Sequence, residues 1–158
     1  MLQDYKDKTI VFFGDSVTDT CKIFHPDHKY GAGYVSMVKT ELDVTYQDLN
    51  IKVYNEGIGG HKTEDLIARF DQDVKTKNPN IVFVQLESFI DPTLIKEAKF
   101  SQDPIPNFRK LSQESLSGNI NVPVTGGGTA RTEFEVLTGN NFDYLIPGGI
   151  PYDRFVKE

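Results

Sequence analysis

Thr9-Ile10-Val11-Phe12-Phe13-Gly14-Asp15-Ser16 is the stretch on which the fold turns. Four consecutive apolar residues after Thr9 leave no solvated face, so the run reads as a strand buried on both sides, as in a parallel sheet covered by helices. Gly14 ends it. Asp15 and Ser16 then set two polar side chains just past its carboxyl end.

Outward from this strand the pattern alternates. Residues 33–43 carry Val35, Val38 and Leu42 at helical spacing. Residues 51–54 form a second strand, closed by the loop Asn55-Glu56-Gly57-Ile58-Gly59-Gly60. Thr63 is placed to cap the next helix, with Glu64 and Asp65 on its first turn, where the macrodipole favours negative charge. Leu66, Ile67, Phe70 and Val74 make its apolar stripe, and Asn78-Pro79-Asn80 stops it. Residues 81–86, Ile-Val-Phe-Val-Gln-Leu, are the third and clearest strand.

Strands alternating with helices predict an α/β fold, a three-layer sandwich with a mostly parallel, flavodoxin-like sheet. Ligands in such sheets bind beyond the carboxyl ends of the strands. Gly14-Asp15-Ser16, Gly59-Gly60 and Glu87-Ser88 all follow predicted strands, so all three are expected at one edge. Beyond residue 86 the texture changes without a linker. Pro92, Pro104 and Pro106 punctuate a loop, and residues 106–114 read as a short helix with proline in its first turn. A weak fourth strand is expected at 121–124. The glycine run Gly126-Gly127-Gly128 then leads into a helix from Thr129 to Leu137, with Gly139 placed to end it. Residues 140–158 show no periodicity, and there is no internal repeat.

The 158 residues suit one core. A net charge of −6 argues against a nucleic-acid or anionic-membrane partner, either of which needs a basic face. Cys21 is the only cysteine, so neither an intramolecular disulfide nor a cysteine-rich zinc site is available. The charged opening residues lack the apolar core of a secretory leader, and no run of eighteen apolar residues spans a membrane. The sequence therefore points to a cytoplasmic protein and leaves its oligomeric state open.

Ile10 to Thr18, IVFFGDSVT, followed by Tyr30-Gly31-Ala32-Gly33-Tyr34, the Asn55–Gly60 loop and Thr63-Glu64-Asp65-Leu66-Ile67-Ala68-Arg69, resembles the SGNH (GDSL-like) ester hydrolases over residues 1–86. The resemblance implies catalytic roles for Ser16, as nucleophile, and its neighbour Asp15. The backbone N–H groups of Ser16 and Gly60 become oxyanion donors, effective because fixed dipoles need no reorganisation as charge develops. A side chain at position 60 would obstruct substrate. Two features depart from the family. Its remaining oxyanion donor, an Asn after the third strand, is replaced here by Leu86-Glu87-Ser88. Its late Asp-x-x-His is also missing, since the histidines are His25, His28 and His61. His61 reads as a solvent-facing loop residue. His25-Pro26-Asp27-His28 brings two imidazoles and a carboxylate close together, but in a proline loop rather than on a metal-binding helix face.

Gln85-Leu86-Glu87-Ser88-Phe89, Pro106-Asn107-Phe108 and Gly126-Gly127-Gly128-Thr129-Ala130-Arg131 resemble a second family over residues 81–158. It is the sulfatase-like domain of lipoteichoic acid synthases and phosphoglycerol transferases, of the alkaline phosphatase superfamily. That resemblance implies Glu87 as a ligand of Mn²⁺ or Mg²⁺ and Thr129 as a nucleophile at a helix start. The family's downstream Asp-His ligands are not in the sequence.

The two likenesses meet within residues 81–86, as in a chimera folded into one compact domain. The leading expectation is an SGNH-type serine ester hydrolase scaffold with an incomplete catalytic set and weak or no turnover. It would act on a small-molecule ester without a cofactor. One alternative is a metal-dependent sulfatase or phosphoglycerol-transferase-like hydrolase fragment, and another is a non-catalytic α/β module. A carboxylate cluster of Asp15, Glu87 and Asp91 that binds a divalent metal is a further expectation, as is Glu87 acting as a poor base for Ser16.

Overall fold

The computed structural model describes residues 2–22, 28–86, 89–121 and 129–141. These fall into two compact units, Met1–Glu87 with Val124–Glu158, and Ser88–Pro123.

The first unit is built on a three-stranded parallel sheet of order β2-β1-β3, with β1 at Thr9–Gly14, β2 at Lys52–Gly57 and β3 at Ile81–Val84. β1 is central, as its unbroken apolar run requires. Its side chains alternate between two cores. Val11 and Phe13 meet Leu66 and Val74 on one face, joined by Phe70. Phe12 meets Tyr34, Val35 and Val53 on the other, with Val38, Leu42, Phe83 and Leu137 packed around them. Aromatic edges lock both faces: Phe13 stands at 80° to Phe70, and Phe12 at 73° to Tyr34, each pair with centroids 5.6 Å apart. The helices behind these cores are α3 (Thr63–Asp73) on the first face, and α2 (Tyr34–Thr45) and α5 (Thr129–Thr138) on the second. A four-residue α1 (Ser16–Asp19) follows β1. The α/β three-layer fold with a parallel sheet is thus the observed one.

Details differ from expectation. β2 runs through Gly57, taking in half of what reads as a loop, because the Asn55 side chain accepts from the Gly57 N–H at 2.9 Å and holds the backbone extended. Thr63 is not the cap of α3. Lys62 occupies that position, and because lysine has no acceptor, the Asp65 carboxylate reaches back to the Lys62 N–H at 2.8 Å. Ile67 drops out of the apolar stripe and is 72% exposed. β3 stops at Val84; among the described residues it pairs with β1 alone, and Ile81, Val82 and Val84 are exposed. Residues 121–124 fall largely outside the described residues, and Asn121 lies in no strand. Gly139 ends α5 as expected, at φ +69° with its N–H on the Glu135 carbonyl.

The second unit contains a 3₁₀ turn at Pro92–Leu94 and α4 (Pro106–Glu114), where the sequence places it. None of its described residues is buried. Arg109 organises it, pairing with both Asp91 oxygens at 2.9 and 3.0 Å and with Asp103 at 2.6 Å, while Phe89 lies against Phe108.

Candidate active site

The carboxyl ends of β1 and β2 lie side by side, with Gly14 opposite Gly57 in the register. The chain leaves β1 through a tight helical turn. Asp15 is its cap, the carboxylate accepting from the Val17 N–H at 3.2 Å, and Ser16 is the first residue of α1, with an exposed side chain. The turn is held from beneath. Thr18 is fully buried, and its hydroxyl shares a 2.9 Å hydrogen bond with the Tyr34 hydroxyl. Thr18 also donates to Gln85 at the end of β3, whose own amide reaches Glu133 on α5. Burial pushes the Tyr34 phenol well above its ordinary value, so it stays a neutral partner.

β2 delivers the second half of the site. Gly57 packs against the backbone of α1 so closely that a Cβ would lie 2.2 Å from the Asp19 nitrogen. Residues 58–61 then turn, closed by the His61 N–H on the Ile58 carbonyl. Gly60 has φ +81°, a conformation that favours glycine, and the space where its side chain would stand is open. Gly59 faces the serine turn: the position of a Cβ there is 4.0 Å from Ser16 Cβ and 3.4 Å from Asp19 Oδ2. The Gly14-Asp15-Ser16 and Gly59-Gly60 segments therefore gather at one edge, as the strand ends predict. Glu87 and Ser88, the third member of that expectation, lie outside the described residues.

Three buried or half-buried groups brace this edge without announcing themselves as a motif. Asn55 donates to the carbonyls of Thr18 and Tyr30, each at 2.8 Å. Arg69 lies over the Phe13 ring, donates to the Gly14 and Glu56 carbonyls at 2.8 and 2.9 Å, and pairs with Asp73 at 2.6 Å. Lys22 donates to the Asn55 and Gly57 carbonyls. The sequence reading places Asn55 in a loop and carries no signal for Lys22. Asp19 is 5% exposed, and its Oδ1 has no partner among the described residues, nor has Nδ1 of His61. His61 is half-buried rather than solvent-facing.

Of the expected carboxylate cluster, Glu87 lies outside the described residues. Asp15 is spent on its turn, and Asp91 belongs to the second unit, where Arg109 and Thr93 take up its oxygens. Among the described residues no group of three or more His, Cys, Asp or Glu is placed to hold a metal ion. Thr129 is the first residue of α5. His25 lies outside the described residues, and His28 is exposed. A hollow between α2 and α5, lined by Tyr34, Val38, Leu42, Phe134 and Leu137, includes none of Ser16, Gly59 or Gly60.

Fold and site together define an α/β protein that presents a serine on a turn at the carboxyl edge of a parallel sheet, beside the Gly59-Gly60 turn. The sequence profile of the GDSL-like lipase/acylhydrolase family matches residues 10–110. The chain belongs to that family. It is 37% identical to the acetylxylan esterase of Geobacillus stearothermophilus over 160 residues, covering 94% of this chain and 69% of that one. A Rhizobium meliloti protein named for cyclic beta-1,2-glucan modification is 39% identical over 79 residues, half of this chain and 12% of that one. A solved variant of the G. stearothermophilus acetyl xylan esterase superposes with a TM-score of 0.51 at 27% identity, covering 70% of this chain and 56% of that chain. The chain thus spans only part of the relatives it matches. The family match runs through residues 81–86 and on to 110, so the stretch where the second resemblance begins belongs to the first family. The comparisons give a sulfatase-like second half no support.

Among the described residues, no helix is long and apolar enough to cross a membrane.

Proposed function

We propose that the chain is a serine-type ester hydrolase scaffold acting on small-molecule esters, with Ser16 as nucleophile and the N–H groups of Ser16 and Gly60 as oxyanion donors. The observation that carries this is the approach of the Gly59-Gly60 turn to Ser16, 4.0 Å from the Gly59 Cβ position to Ser16 Cβ. A substrate carbonyl set between them would meet the hydroxyl on one side and backbone dipoles on the other. Ser16 Oγ would bond to the carbonyl carbon, the bond to the alcohol would break, and the hydroxyl proton would leave on the alcohol. Water would then release the acid.

Turnover by residues 1–158 alone is expected to be weak. A serine hydroxyl without a base is a poor nucleophile, and none of residues 62–158 is a histidine. Solved structures of the G. stearothermophilus esterase include variants named as catalytic mutants at an aspartate and a histidine. No cofactor is invoked.

The test is covalent labelling by a fluorophosphonate, read by intact mass, with Ser16→Ala as control. One adduct on the wild type and none on the variant supports the reading. A folded wild type that stays unlabelled overturns it.

A further inference from the structure

Lys22 lies six residues beyond Ser16, just past α1, and its ammonium is drawn onto β2: Nζ is 2.6 Å from the Asn55 carbonyl oxygen and 2.9 Å from that of Gly57. Those carbonyls are on the open side of the strand. The Lys52 N–H donates to Lys8 and the Ile58 N–H to Gly14, so residues 52, 54, 56 and 58 point their backbone groups at β1. Asn55 and Gly57 then point away from it, to an edge that no other described strand covers. Each outward carbonyl would otherwise need water. The Asn55 side chain supplies the Gly57 N–H on the same edge. Lys22 and Asn55 together finish the strand immediately before residues 58–61 turn toward Ser16.

We propose that Lys22 is a positioning residue: its ammonium, fixed on the Asn55 and Gly57 carbonyls, sets the distance between the serine turn and the glycine turn that carries Gly60. The chemistry favours lysine or arginine, since only a long cation reaches two carbonyls from one side. The segment from Ser16 to Lys22 is seven residues long, with the nucleophile at one end and the clamp at the other. Movement of β2's end relative to α1 must therefore break either this clamp or the Asn55 bonds. Burial pulls the Lys22 pKa below its ordinary value, opposed by the nearby Asp19 and Glu56 charges, with Arg69 adding to the fall and Asp73 opposing it. The cation is thus held on two carbonyl oxygens, with the Asp19, Glu56 and Asp73 charges nearby.

The proposal rests on the esterase reading for its consequence but not for its geometry, and the experiment separates the two. Fluorophosphonate labelling rates are measured over a range of probe concentrations for wild type, Ser16→Ala, Lys22→Met and Lys22→Arg. Hydrogen exchange of the same proteins is followed by mass spectrometry. An ångström of misplacement costs on the order of 100-fold in reaction rate. Lys22→Met should therefore lower the maximal labelling rate by roughly 10- to 100-fold while the half-saturating probe concentration stays within about twofold. Lys22→Arg should restore most of the rate. Exchange should rise over residues 55–61 and stay unchanged over 9–14. Wild-type labelling by Lys22→Met overturns the proposal, and so does equal damage in both variants with faster exchange throughout the sheet. If the wild type itself is unlabelled, the esterase reading fails. The clamp is then judged on exchange alone, and no selective rise over 55–61 refutes it.

Discussion

Asp91 shows how a single side chain's surroundings decide its chemistry. Bonds from Arg109, and from the hydroxyl and N–H of Thr93, hold its carboxyl down at about 2. A depressed carboxylate contributes its interaction in full above the ordinary value, 3.8, and loses it as pH falls through about 2. Carboxyl chemical shifts followed by NMR should therefore show Asp91 still ionised at pH 3, where an ordinary aspartate is mostly protonated. Arg109→Met should return its midpoint to the ordinary range. The pairing could not be read from the sequence, where Asp91 and Arg109 stand eighteen residues apart and Asp91 is as well placed for a metal cluster. Ser16 was legible, because Gly-Asp-Ser follows a strand. Lys22 was not, because its partners are backbone carbonyls and leave no trace in side-chain pattern.

At the scale of elements, α3 separates what periodicity gives from what packing selects. Leu66 and Ile67 are equally apolar neighbours, yet Leu66 is 6% exposed and Ile67 72%. Leu66→Ala should cost about 2–5 kcal/mol in urea denaturation, as a cavity opens beneath Val11 and Phe13. Ile67→Ala should stay within about 0.5 kcal/mol, with unchanged dependence on urea. The helical stripe was visible in the sequence, but its edges were set by which side chains reach β1. The same holds for β2, whose end at Gly57 rather than at Tyr54 depends on the Asn55 side chain and on the close approach of α1.

For the molecule as a whole, the two units differ in what stabilises them. All the buried apolar residues among the described ones, from Val11 to Phe134, belong to the first unit. The second is held by the Arg109 ion pairs and the Phe89–Phe108 contact. Exposed ion pairs contribute little to stability, and a segment with few buried apolar contacts opens readily. Amides of α4 should therefore exchange with solvent well before those of β1. Equal protection of the two would show that the second unit shares the first unit's core.

The sequence by itself determined the parallel sheet, the helices that alternate with its strands, and the arrival of Ser16 and Gly60 at one edge. Those features follow from local hydrophobic period and from the rule that strand ends on one side of a parallel sheet share a rim. Tertiary structure alone decided that Asp91 is spent on Arg109, and that Lys22 and Asn55 finish β2 beside the serine turn. Each of these is a hydrogen bond or a burial between residues far apart in the chain. Such contacts are fixed by where the backbone brings carbonyls, carboxylates and cations together, and the order of residues does not encode that meeting as a pattern.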